Sequence, residues 1–431
     1  MLTIAIISLI VLSAAMLIGV PIAFSMALGV GTFILFSGDW EIVPLISQTM
    51  VNSVGAFTLL AVPLFLLAGT LMTASGMTGG LAEWAMALFG RQRGGLAQAS
   101  QGANFVMSGM SGSSAADTAA ISALFVPQMR KQGYSPGFAA AVVAGPSVIG
   151  PLIPPSIVMV IFASLSQTSV GALLLGGVLP FILLSVMCFA LVTLLAWKRG
   201  YPRGPKTSAK LILRTTHHGL LALLMPVIIV GGMFGGLYTA TEGAAAAVIY
   251  VALVGSIVYK LNWKKARKAL LETVSITGIV LFLYAATSAV AYILTISGLI
   301  RVMQNGFTDI SQAGPLLAWV VGLLLLLILG LPLESAPLLV LTVPVIFGPL
   351  VALGYDPLVV GIVMVLVATM GAITPPVGIN MFIAMKFAGA TTMQFTKAIL
   401  PFFGVLLIGI VAIIVFQPLV TWLPGLVIGG R

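Results

Sequence analysis

The chain has 431 residues, 60% of them hydrophobic and only 6% charged, with a mean hydropathy of +1.21. Soluble domains carry about 25% charged residues, so this composition excludes a soluble enzyme and describes a polytopic membrane protein. The net charge of +10 reads as loop charge that sets orientation rather than as a nucleic-acid surface, and one cysteine (Cys188) with two histidines leaves no disulfide framework and no thiol metal site.

A membrane span needs about 20 apolar residues. In chain order, spans are expected at 2–18, 20–36, 57–76, 138–163, 171–197, 215–237, 243–260, 273–299, 357–385 and 399–422. The first apolar run has no basic residue before it and reads as a retained span rather than a cleaved signal peptide. Residues 39–53 and 260–272 mix Trp40 or Trp263 with charges. Each either lies flat at the membrane surface or forms a loop with an aromatic anchor. His217 and His218, at the start of a span, read as interfacial anchors, and the methionines as packing.

Two apolar stretches, 94–131 and 314–352, are too long for one crossing and too short for two. Each has a polar, small-residue break: Ser111-Gly112-Ser113-Ser114 and Pro332-Leu333-Glu334-Ser335. Arms of about 15 residues reach only about 22 Å, against about 30 Å of hydrocarbon. Both read as re-entrant helical hairpins, tolerated where protein or a wet cavity surrounds the break.

With ten spans, two hairpins and the N-terminus outside, only Arg301 and Arg431 of the nineteen Lys and Arg residues fall outside, leaving seventeen on the cytoplasmic side. Both termini are then periplasmic.

A motif occurs twice. Gly133-Tyr134-Ser135-Pro136, Gly150 and Pro154-Pro155 recur as Gly354-Tyr355-Asp356-Pro357, Gly371 and Pro375-Pro376. The offsets 354 − 133, 371 − 150 and 375 − 154 all equal 221. In the charge-derived topology 138–163 and 357–385 run in opposite directions, so the repeat is inverted. The halves are 1–197 and 215–431, joined by the basic cytoplasmic loop 198–214. The fold class is an all-α inverted-repeat membrane protein, and paired broken helices point to a transporter binding site.

A helix broken at Gly-x-x-x-Pro-Pro frees carbonyls on one side and N–H groups on the other. Oxygens around Gly150–Ile153 and Gly371–Thr374, including Ile373, suit sodium, and the next half-helix suits a carboxylate. The tips add Ser111, Ser113 and Ser114 on one side and Glu334 and Ser335 on the other. Substrate would sit between the two ion sites, near Ser114, Pro154, Pro155, Ser156, Pro375, Pro376 and Asn380. Asn380 is the stronger ligand candidate because it offers both donor and acceptor. Packed kinks are the alternative reading of the breaks. Asp117 either tunes the ion, holds the hairpin or carries a proton.

These residues resemble a known family. Met110-Ser111-Gly112-Ser113-Ser114-Ala115-Ala116-Asp117, Gly145-Pro146-Ser147 through Ser156, and Gly371 through Asn380 resemble the large membrane subunit (M, DctM-type) of tripartite ATP-independent periplasmic (TRAP) transporters, over essentially the whole chain. The resemblance implies a scaffold, a mobile transport domain carrying both hairpins, and an elevator mechanism in the bacterial inner membrane. It implies sodium-driven uptake of an organic acid such as a dicarboxylate or sialic acid, with no other cofactor. It implies two partners, a small four-helix membrane subunit and a periplasmic binding protein. The chain departs from the family's second hairpin, where Asp followed by small residues is usual and Glu334-Ser335-Ala336-Pro337 stands here. The rivals are a self-sufficient carboxylate transporter, an intramembrane enzyme using Asp117 and Glu334, and a channel-like or structural subunit.

Overall fold

The computed structural model describes residues 1–77, 79–203, 216, 221, 224–233, 235–331 and 333–428. His217, His218, Pro332 and most of the basic loop lie outside the described residues. What is described is all-helical, apart from one isolated antiparallel bridge between Arg93 and Arg203. Nearly continuous apolar sequence leaves the backbone to satisfy its own hydrogen bonds, and helices do this within one segment.

The offset of 221 extends far beyond the motifs. Hairpin arms Gly95–Ser111 and Ser114–Lys131 map onto Pro315–Leu329 and Ser335–Ala352. The broken helix Pro136–Ser147, Gly150–Leu152 and Ile157–Ser166 maps onto Pro357–Met370, Gly371–Ile373 and Ile379–Ala388. The helix starts are alike: Ser135 precedes Pro136 and Asp356 precedes Pro357, each an N-cap followed by proline at N1. Both double prolines contain a cis peptide bond, Pro154-Pro155 and Pro375-Pro376. Equivalent positions also touch: Thr369 Oγ1 donates to the Val148 carbonyl at 2.9 Å, and 369 − 148 is again 221.

The halves interlock. Ile157–Ser166 packs on the second hairpin's Ser335–Ala352, while Ile379–Ala388 packs on the first hairpin's Ser114–Lys131. A second group of helices, Ile22–Ser37, Ile42–Val54, Ala61–Ser75, Ala240–Ile257 and Trp263–Ile296, contacts mainly itself.

Several expectations change. Residues 260–272 form neither a separate surface helix nor a loop. They open the 34-residue helix Trp263–Ile296, capped by Asn262 Oδ1 accepting from Lys265 N at 2.9 Å. At about 1.5 Å per residue this helix is about 51 Å long, more than the hydrocarbon thickness. Its counterpart is split into Ile42–Val54 and Ala61–Ser75, because 42 + 221 is 263 and 75 + 221 is 296. Pro63 stands in the first turn of Ala61–Ser75, just after the split. A helix running through it would press its ring on the carbonyl of residue 59. Tyr284 holds the equivalent place, and there the helix runs on.

The expected span 399–422 is Thr392–Val415 followed by a separate helix, Pro418–Ile428. The expected span 171–197 is present as Val170–Lys198, long and apolar enough to cross alone, with Gly177 helical between Val170–Gly176 and Val178–Lys198. Helices Gly79–Phe89 and Leu299–Ala313 were not anticipated. The second is amphipathic, with Ile300 and Phe307 buried and Arg301 and Asn305 exposed. Five described helices are long and apolar enough to cross a membrane alone, and up to seven if each bent pair counts once. The broken helix expected at 138–163 is one of the bent pairs. The remaining apolar helices among the described residues are pieces of 10–17 residues, including the broken helix expected at 357–385, while much of the expected span 215–237 lies outside the described residues.

Candidate functional site

Both hairpin tips and both helix breaks meet at one cavity of about 380 Å³. Ser113 and Ser114 line it from the first tip, Glu334 and Ser335 from the second, and Gly371 and Asn380 from the second break. Pro151 and Ile157 come from the first break. Ile22 and Val280 close the wall from the other helix group.

The first tip is held by its own side chains. Gly112, at φ +65°, turns the chain between the arms, and a Cβ there would lie 3.0 Å from the Pro155 carbonyl. Ser113 caps the second arm, accepting from Ala116 N at 3.4 Å. Asp117, in the first turn of that arm and fully buried, accepts from Ser108 Oγ at 2.7 Å and from Ser111 Oγ at 2.6 Å. Each carboxylate oxygen thus has a hydroxyl donor from the opposite arm, and the helix N-terminus adds favourable potential. Of the open roles for Asp117, this geometry serves the hairpin-holding one directly. Ser111 Oγ also accepts from Ser113 N at 3.1 Å.

Gly150 backs onto this assembly. A Cβ there would collide with Ser108 Oγ and lie 3.4 Å from Asp117 Oδ2. Gly371 plays the same part against backbone: a Cβ would lie 2.5 Å from the Gly330 carbonyl oxygen. Each break therefore packs on the first arm of the hairpin in its own half. Both glycine carbonyls close a tight turn, Gly150 accepting from Ile153 N at 3.0 Å and Gly371 from Thr374 N at 3.1 Å. A carbonyl has a second lone pair, so one acceptor site on each stays open. Thr374 Oγ1 is committed to the Met370 carbonyl at 2.8 Å.

Asn380 ties the second break to the first broken helix, and through Ser147 to Thr118 of the first hairpin. Its Nδ2 donates to Ser147 Oγ at 3.1 Å, and Thr118 Oγ1 lies 2.8 Å from the same oxygen. Asn380 Oδ1 is buried without a partner among the described residues. A buried polar group left unpaired is one that a ligand or water can satisfy.

Other expected site residues lie outside the cavity wall. Ser156 is buried and caps Ile157–Ser166, accepting from Met159 N at 3.2 Å. Pro154 and Pro155 are buried, with the Pro155 carbonyl against Gly112. Ile153 and Pro375 are half-buried, Ile373 is buried and Pro376 is exposed, and none of these, nor Ser111, Gly150 or Thr374, lines the cavity. Sequence reasoning missed Ser108, Ser147, Thr118 and Gly330. Ser108 had a signal, since it lies three residues before Ser111 on the same helix face. Ser147 had none, because its partner Asn380 is 233 residues away.

Comparison with known proteins places this architecture. Residues 9–419 match the family model "Tripartite ATP-independent periplasmic transporter, DctM component". The chain is 35% identical to the C4-dicarboxylate TRAP transporter large permease protein DctM of Vibrio cholerae, over 96% of each chain. It is 34% identical to the sialic acid TRAP transporter large permease protein SiaM of the same organism, over 95% of this chain and 96% of that one. Against the 2,3-diketo-L-gulonate TRAP transporter large permease protein YiaN of Escherichia coli it is 32% identical, over 94% and 95%. Among solved structures it resembles the YdaH transporter of Alcanivorax borkumensis, with TM-score 0.64, 16% identity and coverage of 88% of this chain and 90% of that one. MtrF of Neisseria gonorrhoeae follows, with TM-score 0.58, 14% identity and coverage of 87% and 83%. At those identities the likeness concerns the fold alone. With a family model across nearly its full length and large-permease relatives above 30% identity end to end, the chain belongs to the DctM component family of tripartite ATP-independent periplasmic transporters.

Proposed function

We propose that this chain is the large permease of a sodium-coupled importer of an organic acid. The observation that carries the reading is the convergence of two tips and two breaks on one cavity. The relatives' names supply the substrate class: C4-dicarboxylates, sialic acid or a keto-sugar acid. Sodium ions, here cargo, would take the open carbonyl lone pairs at Gly150 and Gly371 together with oxygens from Ser113, Ser335 and Glu334. The substrate carboxylate would sit between them, near Ser114 and Asn380.

The cavity is walled by hairpins on one side and by Ile22 and Val280 on the other. That placement supports an elevator in which the hairpin group slides past the second helix group with its cargo. The periplasmic binding protein and the small membrane subunit are the partners, and the inner membrane is the location, with both termini periplasmic.

The test is uptake into liposomes containing this chain and its small subunit. Labelled organic acids are supplied with the cognate binding protein, under a sodium gradient or a potassium gradient. Uptake that needs both sodium and the binding protein is expected. Equal uptake without the binding protein would establish a self-sufficient carrier instead. Uptake indifferent to sodium would remove the coupling assignment.

A further inference from the structure

A second cavity, of about 560 Å³, shares no lining residue with the central one. Arg91 and Arg93 reach it from the turn after helix Gly79–Phe89. Arg203 reaches it from beyond helix Val178–Lys198, and Thr193 and Trp197 from that helix itself. Leu88 completes an apolar rim with Trp197, and both are exposed.

The arrangement is built, not incidental to loop charge. Arg93 and Arg203, 110 positions apart, pair their backbones in an antiparallel bridge, and beside it Gly94 N donates to the Pro202 carbonyl at 3.1 Å. A Cβ on Gly94 would press on Ala196, so the turn is seated on helix Val178–Lys198. Like charges directly opposite on such a pair repel. Among the described residues no carboxylate lines the cavity, and the sequence has no Asp or Glu between 84 and 116 or between 173 and 238. No acid of either covering segment stands beside the three guanidinium groups, so an anion from outside the chain can reach them without competing against a built-in ion pair.

Chemistry narrows that anion. Guanidinium groups bind phosphate oxygens through paired, planar hydrogen bonds. Tryptophan suits headgroup depth, and Val170–Lys198 is long and apolar enough to cross a membrane. We propose that this cavity binds the phosphate of an anionic phospholipid. Arg91, Arg93 and Arg203 hold the phosphate, while Leu88 and Trp197 pack against the lipid's apolar part. The lipid reinforces the seam between the first hairpin arm and helix Val178–Lys198. Directly along that seam, Gln98 Nε2 donates to Thr193 Oγ1 at 2.7 Å and to the Phe189 carbonyl at 3.2 Å. The site concerns lipid chemistry and does not depend on the transport reading.

The experiment is thermal unfolding of the purified full chain in neutral detergent. Phosphatidylglycerol, phosphatidylcholine and inorganic phosphate are titrated separately. The variants are Arg93→Gln with Arg203→Gln, and a control, Lys264→Gln with Lys268→Gln, that removes the same charge from an exposed helix start. Phosphatidylglycerol is expected to raise the melting temperature and phosphatidylcholine is not. The apparent affinity should fall roughly tenfold or more in the arginine variant and stay unchanged in the control. If the double variant does not fold, Arg91→Gln alone, outside the bridge, should show the same direction of loss. Inorganic phosphate matching phosphatidylglycerol, and losing its effect in the arginine variant, would overturn the lipid and leave a free-phosphate site. Phosphatidylglycerol acting equally on the parent chain and the arginine variants would overturn the site altogether.

Discussion

The two hairpin tips occupy equivalent places in the fold but are held in different ways. In the first, Ser108, Ser111 and Asp117 form a closed set in which every carboxylate oxygen has a donor. Adding 221 to those numbers gives Leu329, Pro332 and Leu338, so the second hairpin has no polar lock at the same places. Its first arm is instead fixed by backbone contact between Gly330 and Gly371. The carboxylate also moves: Glu334 stands at the counterpart of Ser113, on the cavity wall, and makes no side-chain capping bond. One half uses its acid to hold its own tip together, and the other leaves its acid on the cavity wall. A repeat can thus keep matching backbone elements in its two halves while its acidic side chains do different work in each.

The largest test of this contrast is Asp117→Leu, which copies the second hairpin's residue into the first. It leaves the buried Ser108 hydroxyl without its acceptor and takes the shorter of two acceptors from half-buried Ser111, which keeps the Ser113 carbonyl at 3.3 Å. At about 1–3 kcal/mol for each lost bond, a loss of about 3 kcal/mol is expected in denaturant unfolding of the purified chain. A loss below about 1 kcal/mol would mean that Asp117 is not a structural lock. The reciprocal change, Leu338→Asp, should destabilise as well, since Leu338 is fully buried and its surroundings lack the serines.

The glycines come next. At Gly371 an added methyl meets backbone, which cannot rotate away, and Gly371→Ala should cost about 2–3 kcal/mol. At Gly150 the methyl meets the Ser108 hydroxyl, which can turn aside with weakening of its bond to Asp117, and also Ser108 Cβ at 2.7 Å, which moves only with its helix, so Gly150→Ala should cost about 2 kcal/mol. Thermal melts of the two variants in one detergent decide the order. Equal losses would erase the distinction between a side-chain lock and a backbone lock.

How much of this could be read from sequence follows the same division. The two breaks, the two tips and the 221 offset are legible because glycine and proline act locally on the backbone wherever they occur. The position of Asp117 was legible too. Its donors were not separated from other serines, because a helix face is known only once the arm's phase is known. The Asn380–Ser147 bond was beyond reach, since nothing local in sequence records which residues of two interlocked halves will touch. The continuous helix Trp263–Ile296 was hidden by composition: Lys264, Lys265, Arg267 and Lys268 look like a surface segment, and hydropathy cannot show that no proline interrupts the join. At the matching place the split counterpart has Pro63 and this helix has Tyr284.

A smaller effect is expected where the halves meet. Thr369→Val removes one hydroxyl bond to the Val148 carbonyl and should cost about 1 kcal/mol. Its value lies in comparison with Asn380→Ala, which breaks a second bond between the halves and also removes a cavity-wall oxygen. Thr369→Val should lower stability with sodium-dependent uptake retained, whereas Asn380→Ala should lower both. If both variants lose only stability, the unpaired Asn380 Oδ1 has no part in cargo binding.

The smallest stability change belongs to Glu334→Gln, and for that reason it separates the two tips most cleanly. The substitution keeps shape and removes charge from a side chain exposed on the cavity wall, so unfolding should shift by no more than about 0.5 kcal/mol. A carboxylate that faces sodium makes its contribution when the ion is bound, because opposite charge and a hard oxygen favour a hard cation. Sodium should therefore stabilise the parent chain against heat more than it stabilises Glu334→Gln, while potassium treats them alike. In uptake assays the sodium concentration for half-maximal rate should rise in the variant, with the dependence on binding protein unchanged. If Glu334→Gln instead unfolds as readily as Asp117→Leu, the second acid is also a structural lock, and the division of labour between the tips fails.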